Sequence, residues 1–308
     1  MKQDKPLVAI KCLVYDHEPY LRDCLEGFVM QQTNFPFVAI VHDDASTDNS
    51  AAIIREYEEK YPDIIKPIYE AENQYSKRDG SVGRIMNAAV DATGAKYIAM
   101  CEGDDYWTDP LKLQKQVDFM EANPEYGLCY AKAYRYNEEL KKYIGVKGSA
   151  RAEVYELSIQ GTHHISTPTI LMRQSLFLNC LSDSSFLLNN GLFTDSSLWW
   201  WFAANSKLYF MDDVVAVYRE LSESASHSKD INIVKDRIRK ALKVKLFFLL
   251  KYPIQNKVYL ESVIEDYLLY VDNYAQYHGF VIGDKIRKSK RYLLGQKVYN
   301  FIKKIKLC

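Results

Sequence analysis

Three carboxylates, Glu102, Asp104 and Asp105, fall within four residues of the stretch KYIAMCEGDDYW at 96–107. Acids set this close repel one another unless a cation sits among them. Hard oxygen donors at that density suit Mg2+ or Mn2+, ions that keep some waters and complete their shells with substrate phosphates. By itself the cluster reads equally well as a solvated acidic turn ahead of a helix. Two further polar clusters precede it, Tyr15-Asp16-His17 and His42-Asp43-Asp44, and another acid, Asp195, stands just ahead of the aromatic run Leu198–Phe202. Asp195 also suits a helix N-cap. His227, in a Ser-rich loop at 220–229, is compatible with a plain solvent-exposed side chain, and His163-His164 read as loop residues.

Hydrophobic periodicity says which elements must hold these groups. Leu7–Val14 is a nearly continuous apolar run and predicts a buried strand ending at Tyr15. Pro19 opens a helix whose apolar stripe is Leu21, Cys24, Leu25 and Phe28. Phe37–Val41 predicts a second strand running into His42-Asp43-Asp44. Ser46, Thr47 and Asp48 offer caps for the next helix, which reaches about Lys60 with Ala52, Ile53 and Tyr57 inward. Ile64–Tyr69 predicts a third strand, placed at an edge by Pro67. A helix with Val82, Ile85, Met86 and Ala89 on one face, closed by Gly94, leads to the strand Tyr97–Met100 and the acidic cluster. Alternating strands and helices argue for a parallel sheet covered on both faces. Right-handed crossovers and an edge third strand favour the order 3-2-1-4. Ligands of such sheets bind beyond the carboxyl ends of the strands, where the order reverses, so the three clusters are expected around one crevice.

Asp109-Pro110 start a helix faced by Leu113, Val117 and Met120, and Leu128–Tyr136 alternates as a strand. Residues 137–161 are polar and weakly patterned, which predicts a mobile stretch. Ile165–Met172 predicts a strand with a short helix after it, and Leu208–Tyr218 predicts two short strands around Asp212-Asp213. Long helices are expected from Asp230, with one stripe at Ile231, Val234, Ile238, Leu242 and Leu246 and another at Leu260, Val263, Ile264, Tyr267 and Val271. Residues 284–308 hold nine Lys or Arg against one Asp, with Leu294, Val298, Phe301, Ile302 and Ile305 as an apolar face. That pattern fits an interfacial membrane anchor, and equally a solvated terminal helix.

Lys+Arg and Asp+Glu both total 40 in 308 residues, so bulk charge gives no case for nucleic acid as a partner. The six cysteines lie far apart without a C-x-x-C pair, and five sit in apolar contexts, which predicts reduced core thiols in a cytoplasmic protein. The N-terminus does not read as a signal peptide, and no run approaches the ~18 apolar residues of a membrane span. The expected location is the cytoplasm, with peripheral contact to the inner face of the membrane through 284–308. Neither G-x-G-x-x-G after the first strand nor a P-loop is present, which disfavours dehydrogenases and NTPases.

VAIKCLVYDHEPYLRDCLEGFVMQ, IVHDDASTDNSAAII, the NQYS and GRIMNAA segments and CEGDDYWTDPLKLQKQ, in this order and spacing, resemble the inverting family 2 glycosyltransferases of GT-A fold. The likeness spans roughly residues 6–228. It implies an α/β, Rossmann-like, mostly parallel sheet flanked by helices in residues 1–228, with a nucleotide-binding half at about 1–125 and an acceptor half at about 126–228. A helical C-terminal region would follow at 229–308.

The resemblance further implies a Mn2+- or Mg2+-dependent transfer of a hexosyl or N-acetylhexosaminyl group, with inversion, from a nucleoside-diphosphate sugar to an acceptor hydroxyl. Tyr15 would lie beside the nucleotide, Asp44 on the base with Asp43 beside it, Arg84 at the nucleotide or diphosphate, and Asp104 at the ribose. Asp105 would hold the metal, Asp195 would be the catalytic base, and His227 a further metal or phosphate ligand. A carboxylate accepts the imide N–H of uracil or thymine, which favours a UDP-sugar. The chain departs from the family pattern at Asp16, where many members have Asn, at Glu102, where the leading acid is Asp, and at Thr194-Asp195, where Glu-Asp is frequent. The Gln-x-x-Arg-Trp motif of processive synthases is missing, so one sugar per encounter is expected, onto a glycan or lipid-linked acceptor in surface polysaccharide assembly. Two alternatives remain open here. A sugar-phosphate nucleotidyltransferase would carry a Gly-rich basic loop after the first strand, which Tyr15–Pro19 lacks, and a silent nucleotide-sugar sensor or scaffold would carry the fold without the chemistry.

Overall fold

A computed structural model describes residues 5–77, 79–160, 165–221 and 231–254. His163-His164, His227, Cys308, the stripe from Leu260 and the basic segment 284–308 lie outside the described residues. Two compact units divide the chain, Met1–Val234 and Lys235–Cys308.

In the first unit, β1 (Val8–Val14) is nearly all buried, which is why its sequence barely alternates. α1 (Glu18–Val29) carries Pro19 in its first turn, where no intrahelical donor is lost, and buries Leu21, Cys24, Leu25 and Phe28. β2 (Phe37–Asp43) and α2 (Ser50–Lys60) repeat the unit. Here Ile54 joins Ile53 and Tyr57 in the core and Ala52 faces solvent, and the cap position falls at Asn49, after the residues expected there. β3 (Ile65–Tyr69), α3 (Ser81–Thr93) and β4 (Tyr97–Met100) complete the half, with Met86 and Val90 as the buried line of α3.

β5 (Tyr106–Trp107) and α4 (Lys112–Ala122) lead into β6 (Tyr126–Asn137). The stretch expected to be mobile is largely structured: it holds β7 (Lys142–Lys147), a 3-10 turn at Ala150–Glu153 and α5 (Tyr155–Gln160). β7 is open or half-open along its whole length, so no apolar alternation marks it. The strand expected at 165–172 shrinks to β8 (Leu171–Arg173), because Pro168 sits in a 3-10 turn at Thr167–Thr169. α6 (Gln174–Asp183), α7 (Ser185–Asn189) and α8 (Asp195–Asn205) follow. The two short strands expected near Asp212-Asp213 are one, β9 (Lys207–Glu220), with a bulge: Met211 pairs with Ala131 and Val214 with Lys132, leaving both aspartates outside the ladder.

The sheet order is β3-β2-β1-β4-β8-β6-β9-β5, with β7 paired to β6. β3, β2, β1 and β4 run parallel in the expected 3-2-1-4 order, and Pro67 lies on the edge strand. β8 turns the sheet over by pairing antiparallel with both β4 and β6. β9 occupies one side of β6 over its length, so β8, at Leu128–Cys129, and β7, at Ala133–Asn137, share the other. β7 therefore extends the sheet past the end of β8, on the side of β4. Cys12, Cys24, Cys101, Cys129 and Cys180 are buried thiols outside any disulfide.

In the second unit, α9 (Ile231–Lys251) begins in the first and runs through, burying Val244 and Phe248 and exposing Leu246, which the expected stripe had placed inward. Phe248 stacks on Tyr252 and meets Phe247 edge-on. No helix among the described residues is long and apolar enough to cross a membrane.

α1 crosses β5 at Gly27, where a Cβ would stand 2.9 Å from Trp107 N and 3.2 Å from Trp107 O. Gly27→Ala should gain about 1 kcal/mol in helix propensity and lose about 1–3 kcal/mol to overpacking against immovable backbone. The expected outcome is a lower urea midpoint, and a midpoint at or above that of the native chain would contradict this approach.

Candidate active site

Backbone pairing brings the polar clusters to one edge. Val14 lies opposite Asp43 across β1 and β2, and Asp44 N donates to Val14 O at 2.9 Å. The chain leaving β4 stays beside β1, with Cys101 N on Lys11 O and Gly103 N on Leu13 O. Tyr15-Asp16, Asp43-Asp44 and Glu102–Asp105 thus share the carboxyl ends of the parallel strands, as the topology demands. Asp16 and Ala45 both have φ in the left-handed region, 52° and 61°. Such conformations in residues with a Cβ persist only where surrounding contacts impose them. Here Asp16 Oδ1 accepts from Thr47 N at 2.6 Å, and Asp48 accepts from Glu18 N and Ser50 N, so the two strand-end loops hold each other.

The acids at the end of β2 are largely committed to structure. Asp43 and Asp44 are each 3% exposed. Ser46 donates to Asp43, and Asp44 accepts from Gln74 N at 2.7 Å and Tyr75 N at 2.9 Å, one to each oxygen. Each carboxylate oxygen retains a second lone pair. Tyr15 is 44% exposed. Arg84 is exposed in the first turn of α3 and bonded to Asp79, with no contact to the acids. One turn on, Asn87 Oδ1 accepts from Lys11 Nζ at 2.6 Å.

The acid turn is the electrostatic centre. Asp105 is buried, with Oδ1 accepting from Arg219 N at 2.8 Å. Burial and then the charge of Asp104 push it well above the ordinary carboxylate range, the Arg219 hydrogen bond acting in the other direction. Desolvation by the groups around it, then the charges of Asp195 and Asp104, push Glu102 up to about 8, although the residue itself is exposed. Asp104 Oδ1 is buried without a partner, and so is His17 Nδ1. Burial draws His17 down, opposed by Asp104, Asp48 and Asp16.

Asp195 reaches this centre from α8. The N-cap there is Thr194, in a capping box with Ser197, whose Oγ accepts from Thr194 N at 3.1 Å. Asp195 is not the cap, so its carboxylate is left exposed, with Thr167 Oγ1 donating to it at 3.0 Å. Its charge acts on Glu102, Lys11 and Lys147. Burial draws Lys11 down to about 8 and draws Lys147 down too, with Asp195 opposing both shifts and Asp105 opposing the second. Burial and then Asp105, Asp104 and Glu102 raise Tyr218 to about 12.

Sequence reading missed Lys147, Tyr218, Arg219 and Thr167, which sit in unpatterned or late segments. Lys11 left one signal, as the charge in an otherwise apolar strand. Among the described residues no group of three or more His, Cys, Asp or Glu could hold an ion by itself. A buried carboxylate with raised proton affinity and an orphaned Asp104 oxygen nonetheless fit a hard cation whose shell a phosphate ligand completes.

An acid whose folded pKa exceeds its unfolded value near 4.3 binds more protons folded than unfolded between the two, so stability falls as pH rises through that window. For Glu102 the window runs from about pH 4 to about pH 8. Glu102→Gln should therefore melt progressively higher than the native chain across it, in buffers with EDTA, and a constant offset in thermal unfolding would show that Glu102 does not titrate this way.

A model of the glycosyl transferase family 2 domain matches residues 12–179, more than half of the chain. An uncharacterized glycosyltransferase of Methanocaldococcus jannaschii is 32% identical over 226 residues, 71% of this chain and 72% of that protein. An uncharacterized protein of Mycobacterium tuberculosis is 42% identical over 123 residues, 40% of this chain and 34% of its own, so the chain spans about a third of that relative's length. TuaG of Bacillus subtilis, whose name assigns it to teichuronic acid biosynthesis, is 33% identical over 116 residues, 38% of this chain and 42% of TuaG. The crystal structure of S. aureus TarS 1-349 in complex with UDP-GlcNAc has a TM-score of 0.63 at 17% identity, covering 94% of this chain and 79% of that one, a likeness in fold. The sheet is the GT-A arrangement expected from the motifs, and this chain belongs to glycosyl transferase family 2.

Proposed function

We propose that the protein transfers one sugar per encounter, with inversion, from a nucleoside-diphosphate sugar to an acceptor hydroxyl in surface polysaccharide assembly. The observation that carries this reading is Asp195, exposed beyond a helix cap supplied by Thr194 and electrostatically linked to Glu102 across the crevice. A carboxylate free of structural duty, beside an acid turn at the sheet's switch point, is placed to take a proton from an attacking hydroxyl. Thr167 orients it. A divalent ion, when bound, would neutralise charge on the departing diphosphate. Asp105 and Asp104 are the residues to hold it, Mn2+ or Mg2+, with Asp105 kept in place by the Arg219 amide.

On the nucleotide side Tyr15 offers an exposed ring, and Asp44, rigidified by Gln74 and Tyr75, offers its remaining lone pairs to an imide N–H, which favours a UDP-sugar. TarS is solved with UDP-GlcNAc, and TuaG carries a polysaccharide name, which supports both donor class and setting. Arg84, exposed and held by Asp79, would meet the phosphates. His227 would add a ligand, and the nine basic residues of 284–308 would bring the enzyme to an anionic membrane and a lipid-linked acceptor.

Asp195→Asn should keep donor affinity and lose turnover by about 100- to 10,000-fold, measured with purified protein and Mn2+. Near-normal turnover removes Asp195 from the mechanism. UDP with Mn2+ should raise the melting temperature of the native chain, by about 2.7 kcal/mol of stabilisation at a hundredfold excess over Kd. A shift without donor turnover would mark a binding protein instead.

A further inference from the structure

We propose that Lys147 is the protein's own cation for the sugar-bearing phosphate of the donor, an inference that rests on the donor reading above. β7 continues the sheet past β8 on the β4 side, which brings its last residue beside the acid turn. The Lys147 ammonium lies 4.4 Å above the ring of Tyr218, whose neighbour Arg219 holds Asp105 through its amide. The backbone there is fixed. Gly148 adopts φ +120°, and a Cβ on it would stand 2.8 Å from Ala131 O and 3.1 Å from Lys132 Cα, so the chain leaves Lys147 flat against β6.

The neighbouring cations are spoken for. Arg219 pairs with Asp23 and donates to Asp104 O, Arg135 pairs with Glu220, Lys132 pairs with Asp212, and Lys11 is bonded to Asn87. Among the described residues Lys147 has a ring beneath it but neither a hydrogen bond nor an ion pair. It feels both Asp105, the candidate metal ligand, and Asp195, the candidate base. A cation near both would meet the phosphate joined to the sugar. As the bond from that phosphate oxygen to the anomeric carbon breaks, its electron pair stays on the oxygen. The acceptor oxygen bonds to the carbon and its proton passes to Asp195. An ammonium beside the oxygen stabilises the charge without giving up a proton. A compact, flexible cation suits this better than a forked one.

The test is isothermal titration of UDP and UMP, with GDP and GMP alongside, all with Mn2+, into the native chain, Lys147→Met and Lys147→Arg. Lys147→Met should weaken the diphosphates by about ten- to a hundredfold, the scale of one charged hydrogen bond, and leave the monophosphates unchanged. Lys147→Arg should restore most of the loss. Unchanged diphosphate binding in Lys147→Met overturns the assignment while leaving the donor reading intact, and an equal loss for mono- and diphosphates reveals a structural role only. A native chain that binds neither diphosphate overturns the donor reading and this proposal together.

Discussion

Carboxylates gathered at one sheet edge must be held against their own repulsion, and the amide of Arg219 does much of that holding. It binds Asp105 Oδ1 across 114 residues of sequence, from the end of β9 to the acid turn after β4. The same residue's guanidinium takes Asp104 O and pairs with Asp23, between the rings of Tyr20 and Tyr106. One side chain thus ties the second half of the sheet to the first at the point of greatest negative charge. A hydrogen bond to an ionised partner contributes about 1.5–3 kcal/mol, and several converge here. Without them the turn would relax by spreading its acids.

The crevice has two mechanically different walls. At the ends of β1 and β2, Asp16, Asp43, Asp44 and Asp48 spend their oxygens on backbone amides and hydroxyls of neighbouring loops, and the left-handed backbone at Asp16 and Ala45 is part of that lock. The acids there shape a rigid rim. On the other side, Glu102, Asp195 and Lys147 are less engaged, and the charge of Asp195 acts on both of the others. Rigid groups suit recognition and less engaged ones suit chemistry.

Legibility followed local pattern. The strands ending at Val14, Asp43 and Met100 announced themselves by apolar runs, and the helix stripe Leu21, Cys24, Leu25, Phe28 by its period, because burial acts on those positions whatever the rest of the chain does. β7 gave no such sign, since a strand open on both faces needs no alternation. The bulge at Asp212-Asp213 looked like a break between strands, because a ladder that skips two residues leaves the same polar gap as a turn. Asp195 looked like a cap until Thr194 was seen to fill that place.

The sequence by itself determined the parallel half of the sheet, its 3-2-1-4 order, and hence that Tyr15, Asp44 and Asp105 would share an edge, because short-range hydrophobic pattern and crossover handedness leave few other arrangements. Only the tertiary structure decided which polar groups confront each other: Lys147 with Asp105 and Asp195, Arg219 with Asp104 and Asp105, Lys11 with Asn87. Those pairings join residues from separate strands and loops, and charge acts through space, so no spacing along the chain records them.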